Sequence, residues 1–311
     1  MKIALLDVDS KIPNLALMKI SSYHKDRGDQ VTWYNELWRN QYDEVYASAI
    51  FNFSDKSMLD PDRMKIGGTG WDISSQLPEE VDQCVPDYSI YRYPHNIGFT
   101  MRGCRFRCKF CVVPQKEGKP YEENTMEEIW TQRSSDFVVL LDNDFFGNPV
   151  WRDRIEEMKE YNLRVNFSQG LNIRLITEEE SAALASVRFW NLKGTKRQVH
   201  FAWDQFGKGT EKLIDQGIKR VTDAGIKPAQ MAFYVLIGFN TTPEQDLYRV
   251  EKLRDYGCDP YAMPYNKEDP YQKKFTRWVN RKAIFKSVRW EDYRRSRKTL
   301  AYGAEKQEIL V

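Results

Sequence analysis

Thr100-Met101-Arg102-Gly103-Cys104-Arg105-Phe106-Arg107-Cys108-Lys109-Phe110-Cys111 sets three cysteines within eight positions, behind a short apolar run at 97–101. A run of that length reads as a buried strand, so the thiols belong to the loop that leaves it. Downstream the pattern repeats: apolar runs at 137–141, 163–167, 199–203, 231–237 and 260–263 are strand candidates. Helical periodicity fills the gaps at about 126–134, 151–161, 177–186, 210–224 and 243–256. Strands separated by helices build parallel βα units. Six such strands over 97–266 imply a partial (βα)6 TIM-type barrel or a curved parallel sheet, with its chemistry at the strands' C-terminal ends.

Upstream, residues 1–75 hold four more strand candidates, at 2–7, 30–34, within 43–50, and at 64–66. Pro13 can open a helix with Ala16, Leu17, Ile20, Tyr23 and His24 on one face, and Gly28 stops it. This βαβ series implies a small Rossmann-like parallel sheet. Residues 76–96, with Pro78, Pro86 and Pro94, read as a linker, and 267–311 as a basic helical extension. The fold class expected is therefore α/β throughout.

Composition narrows the function. The 311 residues are 41% hydrophobic and 14% aromatic, which excludes a disordered chain. A net charge of only +2 argues against a globally basic nucleic-acid binder. No apolar run approaches the roughly 20 residues that span a bilayer, and the start, with Asp7 and Asp9, lacks a secretory pattern. A soluble cytoplasmic protein with no membrane partner is expected. The remaining cysteines, Cys84 and Cys258, stand alone, and a disulfide framework would use an even, dispersed set. Three clustered thiolates cannot close a tetrahedral zinc site without a fourth ligand. They can hold three irons of a cubane cluster and leave the fourth iron open to a chelating ligand.

At CxxxCxxC spacing, with the aromatic Phe110 before the last cysteine, the chain resembles the radical S-adenosylmethionine (radical SAM) superfamily over about residues 95–265. The resemblance implies that Cys104, Cys108 and Cys111 ligate a 4Fe–4S cluster. The open iron chelates the methionine part of SAM, and one electron cleaves the sulfonium to methionine and a 5′-deoxyadenosyl radical, which abstracts hydrogen from substrate. An electron donor such as flavodoxin or ferredoxin is implied too.

Further residues carry over by position. Asp142-Asn143-Asp144 stands where the family binds the SAM amino group, in place of the usual Gly-Gly-Glu; a helix cap ahead of Pro149 is the alternative. Ser168, Gln169 and Arg174 fall where the ribose and carboxylate are held, with a plain surface arginine the alternative. Val235, Ile237 and Gly238 resemble the strand-five motif that passes the adenine, and Phe110 adds main-chain contacts. His200, Trp203, Asp204, Asn240, Tyr265 and Asn266 end strands four to six and either face substrate or cap the strands.

An N-terminal Rossmann-like domain resembles two subfamilies. The stretch from Phe110 to Gly118 is similar to methylthiotransferases, but only Cys84 precedes the motif, so their second cluster cannot form. In cobalamin-dependent members that domain holds the corrinoid. Here the histidine of the lower-ligand signature is missing from the loop of residues 7–12. Gly67-Gly68-Thr69-Gly70 resembles a turn that admits a nucleotide tail, or is simply a tight turn. Cobalamin is therefore one expected cofactor and a cobalamin-dependent methyltransferase one alternative; a vestigial domain that shapes the substrate cleft is the other reading. Residues 273–298 carry eleven Lys/Arg against Glu291 and Asp292, with Phe275, Trp278, Phe285, Trp290 and Tyr293 interleaved. This stretch is either a closing helix or an RNA-binding surface. The substrate expected is a small molecule or RNA, with RNA or nucleotide modification as a second alternative. A metal-binding nucleic-acid-binding protein is the non-enzymatic one.

Overall fold

The computed structural model describes residues 1–294. It divides into two compact units, residues 1–98 with 130–135, and residues 99–129 with the chain from 136 onward. The fold is mixed α/β with parallel sheets.

The first unit contains β1 (Lys2–Asp7), α1 (Leu15–Asp26), β2 (Gln30–Trp33), β3 (Glu44–Ser48), β4 (Lys65–Gly67), α2 (Glu79–Asp82) and β5 (Asn96–Gly98). Its sheet runs β2-β1-β3-β4, all parallel. Ile3, Leu5, Leu17 and Ile20 form one core cluster between β1 and α1. Asn14 caps α1 by accepting the Leu17 N–H. Residues 76–96, expected as a linker, pack as part of this unit. Asp87 accepts hydrogen bonds from Ser21 and Lys25, the Tyr91 hydroxyl donates to Asp7, and the Trp33 indole donates to the Ile90 carbonyl. The prolines there interrupt regular structure without interrupting packing.

The second unit opens with β6 (Met101–Arg102), α3 (Val113–Lys116), β7 (Tyr121–Glu122), α4 (Met126–Ile129) and β8 (Phe137–Leu140). Then come α5 (Trp151–Glu160), β9 (Arg164–Phe167), α6 (Glu178–Ser186), β10 (Arg188–Phe189) and β11 (Val199–Ala202). The unit continues with α7 (Thr210–Asp223), β12 (Met231–Ile237), α8 (Pro243–Asp255), β13 (Asp259–Pro264), α9 (Pro270–Asn280) and α10 (Lys282–Ser287). Two departures from the expected barrel stand out. The expected strand at 97–101 is split, because the amides of Thr100 and Met101 donate to the Asp142 carboxylate instead of a ladder. The other strands form two parallel sheets, one with β10, β9 and β8 and one with β11, β12 and β13. A single parallel bridge, Leu171 to Phe201, joins them. Gly170, at φ +81°, turns the chain just before that bridge.

Of β12, Met231, Phe233, Val235 and Ile237 are fully buried. The helices around it begin where capping boxes place them, Thr177 with Glu180 and Thr242 with Gln245. Phe275, Trp278 and Phe285 are buried too, and the Trp278 indole donates to the Val288 carbonyl. The aromatic half of the basic stretch is therefore core, not a stacking surface; Arg295, Arg297 and Lys298 lie outside the described residues. Asn280 brackets the Ala262 backbone, accepting its N–H and donating to its carbonyl, and so covers the edge of β13. Charge reversal at the exposed Arg294 is expected to move stability by at most about 0.5 kcal/mol, read from a thermal melt. Among the described residues no helix is long and apolar enough to cross a membrane.

Candidate cysteine-loop site

The cysteine loop is the insert of a two-stranded antiparallel hairpin, β6 with β7. Gly103 needs its φ of +78° and its missing Cβ, which would meet the Lys119 carbonyl at 2.2 Å. Glu117 clasps the neck of the loop. It pairs with Arg102 at 2.7 Å, accepts the Gly103 N–H at 2.9 Å and accepts from the Asn143 amide at 3.1 Å. Arg105 ties the same loop to the end of β8 through a bidentate pair with Asp144, Nε at 2.7 Å and Nη2 at 2.9 Å.

Asp142 has a different task. Nearly buried, it accepts from the Thr100 amide at 2.7 Å, from the Thr100 hydroxyl and from the Met101 amide at 3.3 Å. Burial pushes its carboxyl up to about 7 against the pull of these donors. Because the folded carboxyl binds its proton more tightly than the unfolded one, its stabilising contribution is complete below the unfolded value of 3.8 and is lost as pH rises through about 7. Urea melts across that range are expected to show this slope, and Asp142→Asn to flatten it.

All three cysteines are free and half-buried. Burial pushes the Cys104 thiol up to about 11, and the charges of Asp144, Cys111 and Cys108 push the same way. Cys108 is raised by burial and by Cys111, while Arg174 opposes the shift. Among the described residues no three His, Cys, Asp or Glu side chains close into a metal cage. The donor set nonetheless suits a thiophilic cluster. The thiols lie within electrostatic reach of one another, and N–H groups already address sulfur: Phe106 N–H to Cys104 Sγ at 3.4 Å and Gln205 Nε2 to Cys108 Sγ at 4.0 Å.

Arg174 donates to Gln205 Oε1 at 3.0 Å, which links the loop after β9 to the loop after β11 and to Cys108. Phe110 meets Phe239, just beyond Gly238, edge to face at 5.4 Å, and Phe239 meets Tyr265 at 4.8 Å. Phe110, Gly238 and Arg174 therefore gather around the cysteine loop. Ser168 is half-buried and donates to the Leu140 carbonyl, and Gln169 is exposed and donates to Ser168. Val235 and Ile237 are fully buried. Trp203 is buried, and Asp204, raised to about 6 by burial, accepts the Leu236 N–H. Asn240 adopts a φ of +51°, and Asn266 accepts the Glu268 N–H within a turn.

Glu117, Gln205 and Phe239 went unread in the sequence, for none sits in a spaced pattern. The buried pair Asp246 and Arg249 also went unread, although their i,i+3 spacing on α8 was visible. Arg249 donates to the Trp203 and Leu236 carbonyls, each at 2.7 Å, and to Asp246 at 2.6 Å. Asp246 also accepts the Gly238 N–H and the Thr241 hydroxyl.

In the glycine turn of the first unit the missing side chains make room for neighbouring backbone. A Cβ on Gly68 would meet the Ala49 carbonyl at 2.3 Å, and one on Gly70 the Phe51 backbone at 2.4 Å. These glycines admit the protein's own backbone. The Asp9 carboxylate accepts the Ile50 and Phe51 N–H groups and so closes the end of β3. No family model matches the chain, and no curated protein matches it.

Proposed function

We propose that the second unit is the catalytic body of a radical SAM iron–sulfur enzyme, with Cys104, Cys108 and Cys111 holding a 4Fe–4S cluster. The observation that carries this reading is the gathering of Phe110, Gly238 with Phe239, Gln205 and Arg174, from three strand ends and the loop itself, around three free thiols. Held by these three cysteines, such a cluster would supply a low-potential electron for the reductive cleavage of SAM.

The chain's own residues bind and orient. Arg105, Asp144 and Glu117 hold the loop at the strand ends, and Asp142 fixes the backbone that enters it. Arg174 offers a guanidinium for the methionine carboxylate, and Ser168 and Gln169 offer polar contacts to the ribose. The half-buried rings of Phe110 and Phe239 would offer an apolar wall to the adenine. The electron comes from a flavodoxin or ferredoxin. Gly68 and Gly70 are accounted for by close approach of the protein's own backbone, so no step is assigned to cobalamin.

Anaerobic purification tests the reading. The expected protein is brown, with a broad absorption shoulder toward the visible, and it forms 5′-deoxyadenosine from SAM under dithionite. A colourless zinc protein would overturn it in favour of a non-enzymatic metal site.

A further inference from the structure

The sheet of β11, β12 and β13 has two unlike faces. One carries Met231, Phe233, Val235 and Ile237 of β12, all fully buried. The other carries His200, Tyr234 and Tyr261, and Tyr261 is 49% exposed. The His200 ring stacks on Tyr234 at 4.9 Å and 14°, and Tyr261, paired in register with Tyr234, meets it edge to face at 6.0 Å. Burial, with the charge of Lys282, pushes His200 down to about 4, so the imidazole is neutral, and its Nδ1 has no hydrogen-bond partner.

Asp259 lies on this face two residues before Tyr261, about 6.6 Å along the strand. Three ammonium groups surround its single carboxylate: Lys282 at 2.6 Å, Lys196 at 3.5 Å and Lys286 at 3.6 Å. All three lysines are at least half exposed, and the group has positive charge to spare. Toward the other end, the Tyr234 hydroxyl donates to the Ser168 carbonyl at 3.0 Å. Tyr265, 55% exposed, touches Phe239, which touches Phe110. Tyr261 and Tyr265, four residues apart, thus form a broken aromatic strip between the cationic patch at the start of β13 and the Phe239–Phe110 contact at the cysteine loop.

We propose that this strip binds a nucleotide as substrate, with its base against Tyr261 and its phosphates on Lys196, Lys282 and Lys286. A planar ring with a polyanion on one side matches an aromatic floor with ammonium groups on one side. The His200–Tyr234 stack stiffens that floor. The base is then presented toward the loop of Cys104, Cys108 and Cys111. The assignment rests on the function proposed above, because that reading makes the cysteine end the reactive one.

Equilibrium binding to the purified protein, without SAM or reductant, tests it by tyrosine and tryptophan fluorescence. The probes are the four ribonucleoside 5′-triphosphates, the four nucleosides and inorganic triphosphate. At least one nucleotide is expected to bind more tightly than its nucleoside and than triphosphate, and to weaken as salt rises. Tyr261→Ala is expected to weaken the nucleotide about tenfold and leave triphosphate unchanged. Lys286→Gln, at the most exposed of the three lysines, is expected to weaken both phosphorylated probes. No nucleotide binding below about 1 mM, or binding untouched by Tyr261→Ala, overturns the proposal. So does triphosphate binding as tightly as every nucleotide. Because this binding needs no turnover, its failure leaves the iron–sulfur reading standing, and failure of SAM cleavage leaves the binding measurable.

Discussion

Alanine at Cys104, Cys108 or Cys111, introduced singly, is expected to reduce 5′-deoxyadenosine formation under dithionite to background. Each variant removes one of three sulfurs from a set with no spare member. Cys84 and Cys258 are distant in sequence, and Cys258 is 4% exposed with its thiol pushed up to about 12 by burial. They supply the controls: Cys84→Ala and Cys258→Ala are expected to keep the iron content and the activity. Iron and sulfide assays of the anaerobically purified variants separate loss of the cluster from loss of the fold, which circular dichroism reads independently. Continued SAM cleavage in any of the three loop variants would sink the proposed function.

Asp246→Ala is expected to give the largest loss of stability. Both members of the Asp246–Arg249 pair are wholly removed from solvent. Deleting the carboxylate strands a guanidinium that desolvation already disfavours. Breaking a buried pair from one side costs about 3–5 kcal/mol. In a unit of this size that corresponds to a Tm lower by about 10 °C. The double variant Asp246→Leu with Arg249→Met removes both charges and is expected to recover much of the loss. Equal melting of the double and single variants would show that Arg249 matters through the Trp203 and Leu236 carbonyls and not through its charge partner. The Asp246 variant also removes one of the two acceptors of the Gly238 N–H and the acceptor of the Thr241 hydroxyl, so the Gly238 turn is expected to loosen.

What the sequence disclosed followed from local causes. The strand Met231–Ile237 was legible because a short, nearly continuous apolar run reads as a strand inside a parallel sheet. Helices α6 and α8 were legible from their periodicity, and their capping residues fix where they start. The cysteine cluster was legible because its spacing is local as well. Non-local pairings stayed hidden. Thr100 looks like strand, but a carboxylate some forty residues later claims its amide, and Met101 pairs with β7 instead of continuing β5. Residues 76–96 look like a linker, but Asp87 and Tyr91 answer groups on α1 and β1. Glu117 and Gln205 carry no periodic signal, and only the folded chain brings them to Asn143 and Cys108.

The clasp at Glu117 has a consequence for how such a protein is assembled. The neck of the cysteine loop is closed by protein groups alone: Arg102, the Gly103 amide, the Asn143 amide and the β6–β7 pairing. Small zinc modules collapse without their ion because metal binding is their folding energy. Here the neck of the loop is held by hydrogen bonds and an ion pair within the protein. If the proposed function holds, the protein is expected to stay folded without its cluster, and circular dichroism of iron-free protein checks this.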